Sequence, residues 1–190
     1  MRVIAGLAKG RILSTPKGRK TRFTADRVKD SLFNILGQDL RGKSFLDLFA
    51  GVGSIGIEAL SRGAKPVMFV EKDVQNADYI RKNLENCRFS KGVKVYNLSF
   101  RQAIKKLLST FDYIFLDPPY SAYPIEKILH NLYICGIVSG FSTTIVEHSK
   151  KDIVPSRLEG LILARRKVYG QTVLSFYKKN EKSRHLSRKF

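Results

Sequence analysis

The segment from Phe45 to Gly56 constrains this chain more than any other. Phe45-Leu46-Asp47-Leu48-Phe49-Ala50 reads as a short buried strand. Gly51, Gly53 and Gly56 follow it in the spacing GxGxxG, and a helical pattern opens at Ser54. A strand that turns on glycines into a helix belongs to α/β folds with a mostly parallel sheet. There the missing side chains let the backbone turn sharply and let a ligand come close. The free N–H groups of the helix's first turn face whatever sits at that turn. Glu71, at the end of the next apolar run, is placed to accept hydrogen bonds from ribose hydroxyls.

The rest of the middle of the chain agrees with that reading. Strands are predicted at Ser44–Phe49, Pro66–Glu71, Val93–Asn97, Phe111–Asp117 and Ser142–His148. Between them Ala77, Ile80 and Leu84, then Ile125, Ile128, Leu129 and Leu132, recur at the spacing of one helix face. Beyond residue 160 the helices stop. Leu161–Val168 and Thr172–Tyr177 fit an antiparallel hairpin across Tyr169-Gly170-Gln171 on the sheet edge. At the front, Arg2–Gly6 and Arg11–Thr15 suggest a small hairpin. Val28, Leu32, Ile35 and Leu36 mark a helix with Thr24 or Asp26 as N-cap. The expected organisation is a basic arm and helix over 1–43, a main domain over 44–178, and a mobile basic tail over 179–190 that includes Lys178 at its margin.

Charge is the second signal. The 190 residues carry 35 Lys+Arg against 16 Asp+Glu, a net +19. The distribution is uneven: +8 in residues 1–43, +3 in 44–164 and +8 in 165–190. Excess positive charge repels itself and does nothing for a fold, so a polyanion such as nucleic acid is the economical partner. With 43% hydrophobic residues the chain has material for a core, which excludes a wholly disordered protein. No apolar run approaches the ~20 residues of a membrane span. Cys87 and Cys135 make neither a disulfide framework nor a metal pattern, and His130, His148 and His185 are scattered, so no metal is expected and a reducing cytoplasm is the simplest setting. His148, after Glu147 at a strand end, is expected on the surface near the cleft rim.

Two features decide what the glycine turn serves. A dinucleotide and S-adenosylmethionine both place a ribose near an acid such as Glu71. Asp47, just before the turn, would repel a pyrophosphate but accept bonds from the amino group of a methionine moiety. The other feature is Asp117-Pro118-Pro119-Tyr120, directly after the apolar strand Phe111–Leu116. Ligands of open α/β sheets bind outside the carboxyl ends of the strands, so this loop is expected to face the same cleft as the glycine turn. Two prolines stiffen it and remove two donors, leaving the Asp117 carboxylate and the Pro118 carbonyl as fixed acceptors. Such a pair orients the two N–H bonds of an exocyclic amine and directs its lone pair at an electrophilic methyl. Tyr120 supplies a ring to stack on the base.

On these residues the chain resembles the RsmD family of bacterial 16S ribosomal RNA guanine-N2 methyltransferases, which are class I S-adenosylmethionine-dependent enzymes. The likeness runs from Arg2-Val3-Ile4-Ala5-Gly6 to Tyr169-Gly170-Gln171-Thr172-Val173-Leu174-Ser175-Phe176-Tyr177. It is densest at Thr24–Asn34 and Asp47–Ser54. Phe23-Thr24-Ala25 stands where the family often has Pro-Thr-Thr, and Asp30 where it has Glu. The resemblance implies a Rossmann-like, seven-stranded sheet and methyl transfer to guanine N2 in 16S rRNA or an assembling small ribosomal subunit. A bacterial, cytoplasmic setting is implied as well; separately, a monomer is expected. By resemblance Asp117, Pro118, Pro119 and Tyr120 are catalytic. Asp47, Phe49, Gly51, Gly53, Glu71, Lys72, Ser99 and Phe100 hold S-adenosylmethionine, with Asn97 or Ser99 nearest the adenine. Lys9, Arg11, Lys17, Arg19, Lys20, Arg22 and Arg27 contact RNA phosphates. An adenine-N6 methyltransferase is the nearest alternative. A nicotinamide oxidoreductase leaves the Asp117 loop unexplained, and a non-catalytic RNA-binding module leaves an intact loop without a use.

Overall fold

A computed structural model describes residues 1–16, 26–119 and 123–180. The chain forms two compact units, Met1–Ala103 and Ile104–Phe190. In the first, α1 (Asp26–Leu36) precedes β1 (Phe45–Leu48), α2 (Ser54–Ser61), β2 (Val67–Glu71), α3 (Val74–Asn86), β3 (Val93–Asn97) and the one-turn α4 (Phe100–Ile104). β1 pairs with β2 and β2 with β3, both parallel. Leu46, Leu48, Phe69 and Ile80 are buried in its core. The expected arm belongs to this unit.

The second unit contains β4 (Phe111–Leu116), α5 (Ile125–Ile134), β5 (Val138–Ser149), β6 (Arg157–Leu158), β7 (Leu161–Tyr169) and β8 (Thr172–Lys179). β4 and β5 are parallel, with Leu116 beside Val146, while β5–β8, β7–β8 and β6–β7 are antiparallel. The predicted parallel strands and the C-terminal hairpin are therefore present. Among the described residues there are eight strands where seven were expected, the addition being the two-residue β6. Tyr177 of β8 is buried and donates to Pro155 O at 2.8 Å; burial pushes its phenol up to about 12.

Several boundaries differ from the sequence expectation. β5 begins at Val138, four residues before Ser142. Its polar start is satisfied internally, with Ser142 Oγ donating to Phe111 O at 2.5 Å and accepting from Ser139 N at 2.8 Å. β8 runs on through Lys178 and Lys179, past the expected strand end at Tyr177; Lys179 pairs with Leu161, and Asn180 N donates to Gly160 O at 2.7 Å. Residues 181–190 lie outside the described part of the chain. Asp26 is the first residue of α1, and Thr24 falls outside the described residues.

The expected front hairpin is present in short form: Arg2 and Ile12 form an antiparallel bridge, Val3 N donates to Arg11 O at 2.9 Å, Leu13 N to Met1 O at 3.1 Å and Gly10 N to Val3 O at 2.9 Å. Side chains of α2 and α3 take further backbone groups of the arm. Glu58 accepts from Ile4 N at 2.7 Å and Ala5 N at 3.0 Å, and Ser61 Oγ accepts from Ala8 N at 2.9 Å. Asn83 accepts from Ser14 N at 2.7 Å and returns a bond to Ser14 O at 3.0 Å. Glu58 is fully buried beside two cations, Arg62 at 2.9 Å and Lys29 at 3.7 Å. Burial lowers the Lys29 pKa, although Glu58 opposes that shift. Removing one member of such a cluster strands the others without compensation. Glu58→Ala is therefore expected to lower the unfolding free energy by roughly 3–5 kcal/mol; a urea midpoint unchanged from wild type would refute this account of the arm.

Candidate functional site

The first unit presents the glycine turn. Phe49, immediately after β1, sits at φ 60°, a left-handed conformation that costs a non-glycine residue roughly 1–2 kcal/mol. Its ring stacks on Phe100 with centroids 5.7 Å apart. Two residues predicted to hold one ligand, from segments 51 positions apart in sequence, are thus brought together. Gly53, at φ 82°, is the N-cap of α2 and has no side chain with which to cap it. Gly56 has a different reason to be glycine: a Cβ there would stand 2.3 Å from the Phe69 ring. The third glycine of the pattern therefore serves helix–sheet packing.

Two carboxylates secure this turn. Asp47 Oδ2 accepts from Gly56 N at 2.8 Å, doing for α2 what Gly53 cannot. Glu71 accepts from Gly51 N through one oxygen and from Asp73 N through the other, each at 2.8 Å. Burial raises both acids. Asp47 reaches about 7, with the Gly56 N–H pulling it down and the Glu71 charge pushing it further up. For Glu71 the bonds from Asp73 and Gly51 oppose the rise. Two acids at a helix N-terminus counter the site's natural attraction for phosphate. They leave it suited to a cationic group and to hydroxyls.

The remaining residues predicted at this turn sit on its margin. Lys72 is exposed, and its carbonyl and that of Glu71 accept from Asn97 Nδ2 at 3.1 and 2.9 Å. Ser99 N donates to Gln102 Oε1 at 3.0 Å, and the Ser99 hydroxyl donates to the same oxygen at 2.7 Å, which caps α4. Sequence reading found no helix here, because five residues carry no apolar period.

The second unit places Asp117 and Pro118, both half-buried, just past the end of β4. Pro118 and Pro119 line a cleft of about 230 Å³, with Glu147 and His148 of β5 and Asp152 on other walls. Tyr120 lies outside the described residues. His148 is not the surface residue expected; it is only 3% exposed. Its Nδ1 lies 2.8 Å from Ser149 O and its Nε2 2.8 Å from Ser175 Oγ. Burial lowers its pKa, so the neutral ring donates from Nδ1 to the carbonyl and accepts the Ser175 hydroxyl at Nε2. Both nitrogens are thereby committed to the fold. Glu147, 3% exposed, received no role from sequence; the available signal was an acid closing an apolar strand, as Asp117 closes β4.

Of the predicted RNA contacts, Lys9, Arg11 and Arg27 are exposed. Lys9 and Arg27, with Arg2, line a cleft of about 480 Å³ that also has Asp26 and Asp30 on its wall. Arg2 was not foreseen. Lys17, Arg19, Lys20 and Arg22 lie outside the described residues. Among the described residues no cluster of three or more metal-ligating side chains occurs, and no helix is long and apolar enough to cross a membrane.

The family model described as Conserved hypothetical protein 95 matches residues 1–178. YlbH of Bacillus subtilis, whose name assigns it provisionally to the rRNA methyltransferases, is 36% identical over 182 residues, covering 94% of this chain and 99% of its own. Ribosomal RNA small subunit methyltransferase D of Escherichia coli K12 is 30% identical over 179 residues, 94% of this chain and 90% of its own. A solved Haemophilus influenzae structure described as a methylase superposes with a TM-score of 0.79 at 34% identity, over 95% of this chain and 98% of that one.

The raised Asp47 pKa has a consequence for stability. Its folded value of about 7 lies above the ordinary 3.8, so the native state holds a proton that the unfolded chain releases. The stabilisation is complete below pH ~4 and is lost as the pH rises towards 7. Asp47→Asn keeps an acceptor for Gly56 N and removes the titration. The variant should gain roughly 2–3 kcal/mol on wild type between pH 5 and 8. Parallel stability curves over that range would contradict this.

Proposed function

This chain belongs to the family described as Conserved hypothetical protein 95, the RsmD family, and from that premise we propose that it transfers a methyl group from S-adenosylmethionine to the exocyclic N2 of a guanine in 16S rRNA. The observation that carries the reading is the Asp117-Pro118-Pro119 corner. It provides a rigid acceptor pair at the carboxyl end of a strand, beside a cleft on which the two prolines open.

The turn residues fit the methyl donor. S-adenosylmethionine supplies a methyl on a positively charged sulfur, together with an ammonium group and ribose hydroxyls. The acids at the turn, Asp47 and Glu71, oppose a pyrophosphate and suit those groups, which also disfavours a nicotinamide dinucleotide. Gly51, Gly53, Phe49, Phe100, Lys72 and Ser99 complete the assignment. On the acceptor side, the Asp117 carboxylate and Pro118 carbonyl take the two N–H bonds of the amine and aim its lone pair. Asp117 then receives the proton that the nitrogen gives up. Tyr120 is assigned to stack on the base. A paired base cannot offer its amine to such a corner, so the substrate nucleotide is flipped out or single-stranded. Orientation and exclusion of water supply most of the rate, effects worth up to roughly 7–11 kcal/mol in favourable cases.

The RNA is held by charge. Lys9, Arg11, Lys17, Arg19, Lys20, Arg22 and Arg27, with Arg2, are assigned to backbone phosphates, contacts that position without reading sequence. The substrate is 16S rRNA or the assembling subunit that contains it.

Two measurements test this. Asp117→Ala should reduce methyl transfer to 16S rRNA by roughly 100-fold or more while donor affinity stays within about twofold; near-wild-type turnover would remove Asp117 from its role. Affinity for rRNA should fall steeply with salt, by at least about tenfold between 50 and 200 mM. A flat response would mean that the arm is only solvated charge.

A further inference from the structure

The acceptor corner alone does not distinguish guanine from adenine, since both carry an exocyclic amine with two N–H bonds. The bases differ at the neighbouring ring nitrogen. Guanine N1 bears a hydrogen beside its amine, whereas adenine N1 presents a lone pair. A carboxylate next to the amine site therefore attracts one base and repels the other.

β4 and β5 are parallel, and their pairing runs up to Leu116 beside Val146. The next residue in each segment is an acid: Asp117, just past β4, and Glu147, within β5. Glu147 lines the cleft onto which Pro118 and Pro119 open, and it is only 3% exposed. In such a position a carboxylate is little screened, and its hydrogen bonds are stronger than in water. The cleft, about 230 Å³, is smaller than the roughly 300–1,000 Å³ sites that hold drug-sized ligands, so it suits a single base. His148, beside Glu147 on β5, has both nitrogens bound within the protein and competes for no edge of the base. Asp152 holds Ser149 N at 2.7 Å.

We propose that Glu147 is the specificity-determining residue of this enzyme, its carboxylate accepting N1–H of the target guanine while Asp117 and Pro118 hold the adjacent amine. The proposal rests on the methyltransferase reading above. Glu147 and Asp117 thus divide the Watson–Crick edge between two neighbouring segments, one within β5 and one just past β4. Adenine in the same pose sets a lone pair against the Glu147 carboxylate.

The test uses the full chain, S-adenosylmethionine, and 16S rRNA in which the methylated nucleotide has first been mapped. That nucleotide is then replaced by 2-aminopurine, which keeps the 2-amino group and lacks N1–H. Wild-type kcat/KM should favour guanine over 2-aminopurine by roughly 10- to 100-fold, the worth of one hydrogen bond to a charged group. Glu147→Gln, whose amide can donate to the bare N1, should bring that ratio to within about threefold of unity, with donor affinity unchanged. A merely structural role for Glu147 would lower both rates together and leave the ratio where it was, which would overturn the proposal. If the variant fails to fold, wild type alone decides: equal rates on guanine and 2-aminopurine refute the assignment. Absence of any methyl transfer to rRNA by wild type would instead refute the function on which it rests.

Discussion

Two buried carboxylates on neighbouring strands hold the first unit's site in shape. Asp47 takes the N–H of Gly56, and Glu71 takes those of Gly51 and Asp73. The turn would otherwise be loose, because its glycines contribute no side chains and its N-cap residue cannot cap. Keeping the acids there is costly, as the raised Asp47 pKa records. The same acids make the turn selective, since they occupy the N–H groups of Gly51 and Gly56 that such a turn would otherwise offer to an anion. The strained Phe49 continues this theme: a backbone held at φ 60° sets its ring against Phe100, from the far end of the unit's sequence.

The second unit solves a different problem with similar economy. Its cleft is walled by residues that have little freedom: two consecutive prolines, and a histidine fixed through both ring nitrogens. Burial holds the His148 pKa below the ordinary value, with the bond to Ser149 O opposing that shift. The acids of this region are Asp117, just past β4, and Glu147, within β5.

Much of this was legible in the sequence, and what was not has physical reasons. The parallel strands announced themselves as apolar runs, and α3 and α5 as 3.6-residue periods. Glycine spacing identified the turn, and the Asp-Pro-Pro run identified the corner. The arm's hairpin pairing was legible too, but not that Glu58, Ser61 and Asn83, residues 53 to 69 positions away, bind its other backbone groups. No local pattern reports such partners. Asp47 was expected to face a ligand, and its bond to Gly56 depends on how α2 docks on β1. His148 was read as exposed because a histidine near a strand end usually is; its burial depends on Ser175 of β8, which returns antiparallel beside β5. Glu147 was passed over since a lone acid after an apolar run has many ordinary explanations.

The outermost hairpin has a consequence for how copies of this molecule behave together. β6 covers only the start of β7, at Leu161 and Ile162, so from Ala164 to Val168 the strand runs exposed along the border of its sheet. A bare border of that kind is a template on which another chain can zip up and polymerise. Here it carries Arg165, Arg166 and Lys167 in succession, and its register is broken between Leu163 and Arg165. Two identical borders approaching each other meet like charge and an irregular register, both of which disfavour their pairing.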